Sequence, residues 1–293
     1  MLEQQFINAL SLGSVYALFA LGFTLVFGVL GVINLAHGAV FMVGAYVALQ
    51  AVLRFDAPLP LAILAALLLS GLLGVLVDRA VLRPLRRRDA PHLIPMIATI
   101  GIAIFLNSAM QGLFGAENLR FPPDALSDRQ MHFAGVQAST VEIAIVVLSF
   151  ALMAALFLVM NRTQLGRALR AIAESPKAAA LLGVDVERLF LLVAFTASAL
   201  GGIGGVLIAL YSNAVFPLMG QPMLHKGIAV IILGGMGDIR GALVGGLFLG
   251  FAEVFAVAYI GSTMRDAVAF GLLFAVLLLR PQGLFGRVLE RKA

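Results

Sequence analysis

A chain of 293 residues that is 61% hydrophobic and only 12% charged lies far from the roughly 25% charge of soluble domains, and reads as a polytopic membrane protein. Its net charge of +5 does not point to nucleic acid, because the basic residues sit in short segments beside apolar spans, where they set orientation. With no Cys there is neither disulfide nor thiolate chemistry, and with no Trp and four Tyr, Phe has to supply part of the interfacial aromatic belt.

The start, MLEQQ, has no basic region, and the apolar run behind it is too long for a signal-peptide core, so it is expected to stay as a span. Phe6 to Leu30 meets the about 20 apolar residues that a crossing needs, with Gly13, Gly22 and Gly28 for close helix packing. In the next segment, GVINLAHGAVFMVGAY, Asn34 and His37 interrupt an apolar sequence before a second span ends near Leu53; polar groups at such depth need a cavity or a partner. Leu61 to Val77 is a third span, followed by Arg79, Arg83, Arg86, Arg87 and Arg88, a cytoplasmic signal by the positive-inside rule.

Leu93 to Phe114 is a fourth span. Its Thr99 and Ser108 can bond back to their own helix, which leaves Asn107 in need of outside help. Residues 115–140 form the sizeable external loop, with Arg120, Asp124, Asp128 and Arg129, and Val141 to Met160 returns to the cytoplasm. Residues 161–188 then make the longest polar break. Thr163 caps a first short helix, and Ser175, Pro176 and Gly183 punctuate a second, giving a rigid projection whose Ala178, Ala179 and Ala180 would let a partner approach the backbone.

Leu189 to Tyr211 crosses again with a GGIGG run. Gly227 to Gly237, between Lys226 and Asp238, would make roughly 16 Å of helix, which cannot span a 30 Å core; it is a half-helix, or it extends back through Leu218. Ala242 to Ile260 is a span holding Glu253, Ala267 to Leu279 is a short one, and the tail is basic. Five Lys or Arg at 79–92, five at 161–188 and four in the tail account for fourteen of twenty, which fits a periplasmic N-terminus and a cytoplasmic C-terminus.

The expected fold is therefore an all-α polytopic membrane protein of roughly eight to ten transmembrane helices, some broken or half-length, in one domain over 1–293. GVINLAHGAV and GGMGDIRGAL share a polar residue and then His or Arg before Gly-Ala, which hints at an internal repeat. Asn34, His37, Asn107 and Asp238 are candidates for a polar translocation pathway, with Glu253 in reserve.

Catalytic chemistry finds no footing. The three lysines follow Pro176, His225 and Arg291, so the Gly-Lys pair of a phosphate-binding loop is missing, and no metal-ligand spacing or nucleophile elbow occurs. No catalytic residue, metal or cofactor is assigned.

Five stretches in order, GFTLVFGVLGVINLAHGAVFMVGAY, RPLRRR with IATIGIAIFLN, GRALRAIAESPKAAALLGVD, ILGGMGDIRGALVGG and RPQGLFG, resemble the permease subunits of branched-chain amino-acid ABC importers of the LivH type. The resemblance implies an inner-membrane permease paired with a second, LivM-like permease, two cytoplasmic ATPase subunits and a periplasmic substrate-binding protein. It also implies that residues 161–188 couple to the ATPase, with Arg167, Arg170, Ala173, Glu174, Pro176, Ala179 and Gly183 on the family's cytoplasmic motif. The general importer pattern of Glu-Ala-Ala followed by Gly is not kept: Ser-Pro follows Glu174, and Gly183 lies nine residues on. Relatives of this architecture also take up urea, short amides or aromatic acids. The rival from another class is an ion-coupled transporter in which His37 and Glu253 relay protons.

Overall fold

The computed structural model describes residues 2–91, 93–122, 130–133 and 136–286; the loop residues Asp124, Asp128 and Arg129 and the tail residues Arg287, Arg291 and Lys292 lie outside these. In chain order the helices are α1 (Leu2–Leu30), α2 (His37–Phe55), α3 (Leu59–Val77), α4 (Arg83–Arg87), α5 (Leu93–Phe114), α6 (Thr140–Arg162), α7 (Gln164–Glu174), α8 (Pro176–Leu181), α9 (Val186–Ser212), α10 (Gly220–Gly234), α11 (Ile239–Tyr259) and α12 (Arg265–Leu279). Among the described residues eight helices are long and apolar enough to cross a membrane, the third running unbroken from Leu59 to Arg87 through a π-helical turn at Asp78–Leu82, and the eighth beginning at Ser262. The first arginines after α3 are thus helical rather than in a loop.

α1 is the axis. It is sheathed by α11, α9, α6 and α10, while α2, α3 and α9 pack against one another. Small residues set these contacts, because close approach of backbones replaces the hydrophobic drive that lipid removes. A methyl group on Gly13 would stand 3.1 Å from the Leu247 backbone, Gly246 and Gly250 lie on the backbones of Ala17 and Gly13, and Gly202 and Gly205 of α9 rest on Ser70 and on the Phe41 carbonyl. The glycine-rich runs of α9 and α11 are therefore spent inside this chain. α5 and α12, by contrast, are covered on little of their surface.

Two spans are interrupted. α1 stops at Gly31 (φ 67°), five residues outside any helix follow, and α2 starts at His37. The segment extends back as far as Gly220, and the 15 residues of α10 still make only about 22 Å of helix, short of a crossing. It starts at Gly220, with Pro222 in the first turn, where no intrahelical donor is lost. It ends at Gly235 (φ 105°), and its last carbonyls are satisfied by the RPQGLFG segment: Leu284 N–H donates to Leu233 O (2.9 Å) and Phe285 N–H to Gly234 O (3.0 Å). Both interruptions thus carry a glycine of positive φ and then an Asn or Asp whose side chain accepts a backbone N–H two residues on, Ala36 just before α2 and Arg240 in α11, and they meet where Gly28 faces Gly237.

At the far end from the arginines, Leu119 and Val215 exchange two backbone bonds (2.9 and 2.8 Å) and Phe121 N–H donates to Asn213 Oδ1. A short antiparallel hairpin, β1 (Gln130–Phe133) with β2 (Val136–Ser139), pairs Gln130 with Ser139 and leads into the capping box of α6.

Candidate functional site

The five intramembrane candidates separate into distinct places. Asn34 and His37 come together at the first break. Asn34 is buried and its Oδ1 accepts the Ala36 N–H (3.1 Å), while the Leu35 N–H donates to Thr99 Oγ1 on α5 (3.1 Å), whose hydroxyl donates in turn to Met96 O (2.7 Å). Thr99 thus bonds back to its own helix and also satisfies a donor orphaned by the break. His37 is fully buried between Phe19 (ring centroids 4.6 Å apart) and Phe23 (5.5 Å). Gly22 and Gly201 make its room: a methyl at Gly201 would stand 2.8 Å from the imidazole Cε1. The Phe19 carbonyl is beside the ring, yet neither ring nitrogen completes a well-formed hydrogen bond.

Asn107 is half-buried on α5 and makes no side-chain bond among the described residues. Asp238 acts as the N-cap of α11, its Oδ1 accepting from Arg240 N–H (2.7 Å) and Gly241 N–H (3.0 Å). Glu253 belongs to a separate cluster. A cavity of about 700 Å³, lined by Val52, Asp56, Ile63, Ala144 and Leu207 among others, includes none of the five.

The Glu253 cluster contains residues that sequence reading did not single out. Glu253 is fully buried; its Oε2 accepts from Tyr16 Oη (2.9 Å), and its Oε1 faces Lys226 Nζ (2.6 Å) and Arg265 Nε (3.1 Å). Lys226 Nζ also donates to Tyr16 Oη (3.0 Å) and lies 3.8 Å from Asp266. α1, α10, α11 and α12 are joined here. The signal was present, since an intramembrane carboxylate calls for a cation and Lys226 is one of three lysines in the chain.

At the arginine-bearing end, residues 161–188 form two capped helices. Thr163 Oγ1 accepts from Gly166 N–H (3.2 Å), Ser175 Oγ from Ala178 N–H (3.2 Å), Pro176 opens α8 and Gly183 (φ 84°) follows it. Gly166, Leu169 and Ile172 bury one face of α7 against α6 and α1, and Arg170 pins it by donating to Met160 O. Ala179 is buried as well, so α8 turns it inward and not toward a partner. Arg167, Ala173, Glu174 and Pro176 remain exposed. So do Leu181 (89%) and Leu182 (82%), a bare apolar tip on a polar projection.

The next helix is held by the arginine cluster. Asp78, fully buried in the π-turn, takes Arg86 in a two-pronged pair (2.6 and 3.1 Å), and the Arg86 guanidinium stacks 4.6 Å over Phe190. Arg83 and Arg87 reach Glu187 (2.8 and 3.8 Å) in the first turn of α9. The helix pair therefore packs on α6 and α1 through α7 and on α9 through α8, and α9 is in turn fixed to α3 and α4 by the arginines.

The profile of the family described as branched-chain amino acid transport system / permease component matches residues 5–277. The chain is 38% identical to the high-affinity branched-chain amino acid transport system permease protein BraD of Pseudomonas aeruginosa, over 97% of this chain and 95% of that one. It is 35% identical to the permease protein LivH of Escherichia coli K12 over the same shares, and 30% identical to a probable LivH of Methanocaldococcus jannaschii over 95% and 91%. No solved structure is significantly similar.

Proposed function

Because this chain belongs to the branched-chain amino-acid transport permease family and is a transport component, not an enzyme, we propose that it is the translocation-pathway subunit of an ATP-driven importer of amino acids, branched-chain ones first. In this reading it sits in the bacterial inner membrane with its N-terminus periplasmic and its C-terminus cytoplasmic. It works with a second permease of the same family, two cytoplasmic ATPase subunits and a periplasmic substrate-binding protein, which carries much of the choice of solute. Urea, amides and aromatic acids are the competing cargoes.

The observation that carries the proposal is the cytoplasmic helix pair. A loop that only connects two spans has no need of two side-chain caps, a buried seam and two leucines left almost bare; a loop that seats in a partner's groove does. Arg167 and Glu174, exposed beside the seam, supply orienting charge. Motion of α7 reaches the membrane directly, because α7 packs on α1 and α1 runs into the break at Gly31.

The ion-coupled rival needs a relay between His37 and Glu253. The imidazole is boxed by phenylalanines, and Glu253 spends its oxygens on Tyr16, Lys226 and Arg265, with no hydrogen bond joining the two sites among the described residues. The deciding experiment reconstitutes the complex with loaded binding protein. Leu182→Glu and Glu174→Ala are expected to lower ATPase co-purification and stimulated hydrolysis while the permease still inserts. Wild-type values for both variants, with uptake that follows a proton gradient in the absence of ATP, would favour the rival.

A further inference from the structure

Resting on the importer reading above, we propose that Arg265 and Asp266, backed by the buried Tyr16–Lys226–Glu253 cluster, form a zwitterion site at the external end of α12, which takes the carboxylate and ammonium groups of an amino acid. The two residues open α12, at the end of the molecule opposite the arginine cluster, which the proposed orientation makes external.

The geometry separates a fixed half from an open half. Glu253 is fully buried and fully engaged, and Lys226 is nearly so. Arg265 faces Glu253 with its Nε at 3.1 Å; its side chain is half exposed, and its two terminal nitrogens make no hydrogen bond among the described residues. A planar guanidinium with two parallel donors free matches a carboxylate in two-pronged fashion. Asp266 is 71% exposed, and its one charge partner, Lys226, lies at 3.8 Å, beyond hydrogen-bond length and already bound to Glu253 and Tyr16. It is thus an acceptor free for an ammonium group.

The cluster balances two cations against two carboxylates, so a solute bearing one charge of each sign can enter without leaving an ion unpaired, whereas a singly charged solute leaves one. Holding the open pair on ion-paired, buried supports fixes its position without filling it. The polar ends of an amino acid are common to all side chains, so such a site would accept the amino-acid class while the binding protein selects the member.

The test uses the intact complex in proteoliposomes with leucine-loaded binding protein, and reads leucine uptake and ATP hydrolysis together. First, the wild-type complex must show ATP-dependent uptake, so that a failure of the importer reading is recognised before the variants are compared. Asp266→Asn is isosteric and on the surface, and Arg265→Lys keeps the cation that faces Glu253 while removing the fork; each should cut leucine taken up per ATP hydrolysed by about tenfold or more, the size expected for a lost charge-assisted bond, with complex yield and stimulated hydrolysis retained. Unchanged uptake in both variants overturns the proposal. So does an equal fall in uptake, hydrolysis and complex yield, which would make the pair a structural clamp.

Discussion

Two polar places lie within one turn of each other along α1, and the chain treats them in opposite ways. At Tyr16 the buried charges are paired: Glu253 meets a hydroxyl, an ammonium and a guanidinium, and four helices share the knot. At Phe19 the neighbouring imidazole of His37 is buried among two phenylalanines and two glycines with its nitrogens unmet. The difference teaches where the fold is rigid and where it holds shape by fit alone. A paired charge cluster resists change because removing one member strands the others, while a boxed ring is held by the room left for it.

Breaking the knot should have the largest effect. Glu253→Gln leaves Lys226 buried without its counter-charge, a loss on the order of 3–5 kcal/mol by the usual cost of breaking a buried pair, and the detergent-extracted protein should melt far below wild type. The fit at the box is tested by Gly201→Ala, which drives a methyl into the imidazole and should cost roughly 1–3 kcal/mol, the range for overpacking a filled interior. If the steric account holds, His37→Ala in the same chain should recover much of that loss; a strictly additive double variant would remove the box from the comparison.

Smaller effects sharpen the picture at the margins. Thr99→Ala strands the Leu35 N–H at the break and should cost about 1 kcal/mol in thermal unfolding, with a larger change in uptake than in stability if the break moves during transport. Arg188→Ala removes an exposed pair with Asp185 and should shift stability by less than about 0.5 kcal/mol.

The sequence made some of this legible, and the reason is locality. Thr163, Ser175, Pro176 and Gly183 act on backbone groups within a few residues, so the two short helices of residues 161–188 could be read from their caps. The half-helix was legible from length, since its residues cannot cover a bilayer. What depends on distant partners was not. Asp238 reads as a lone polar exception until α11 is seen to start on it, and Ala179 looks available to a partner until α8 is seen to turn it inward. Lys226 reads as the border of an uncertain segment, yet it lies 27 positions from the carboxylate that explains it and 210 from the hydroxyl. The π-turn that buries Asp78 against Arg86 sits inside what reads as a basic loop, because spacing alone does not say that a helix continues.

The central claim, that residues 161–188 seat in an ATPase subunit, has a direct test, because the chain has no cysteine. Leu182→Cys places a single thiol on the bare tip of the projection, where a short thiol-to-amine cross-linker can be applied to the assembled complex in membranes. The account predicts a covalent adduct of permease and ATPase subunit, with yield that changes between nucleotide-free and ATP-bound states. An accessible thiol that labels fully with a small maleimide yet gives no adduct in either state would contradict it.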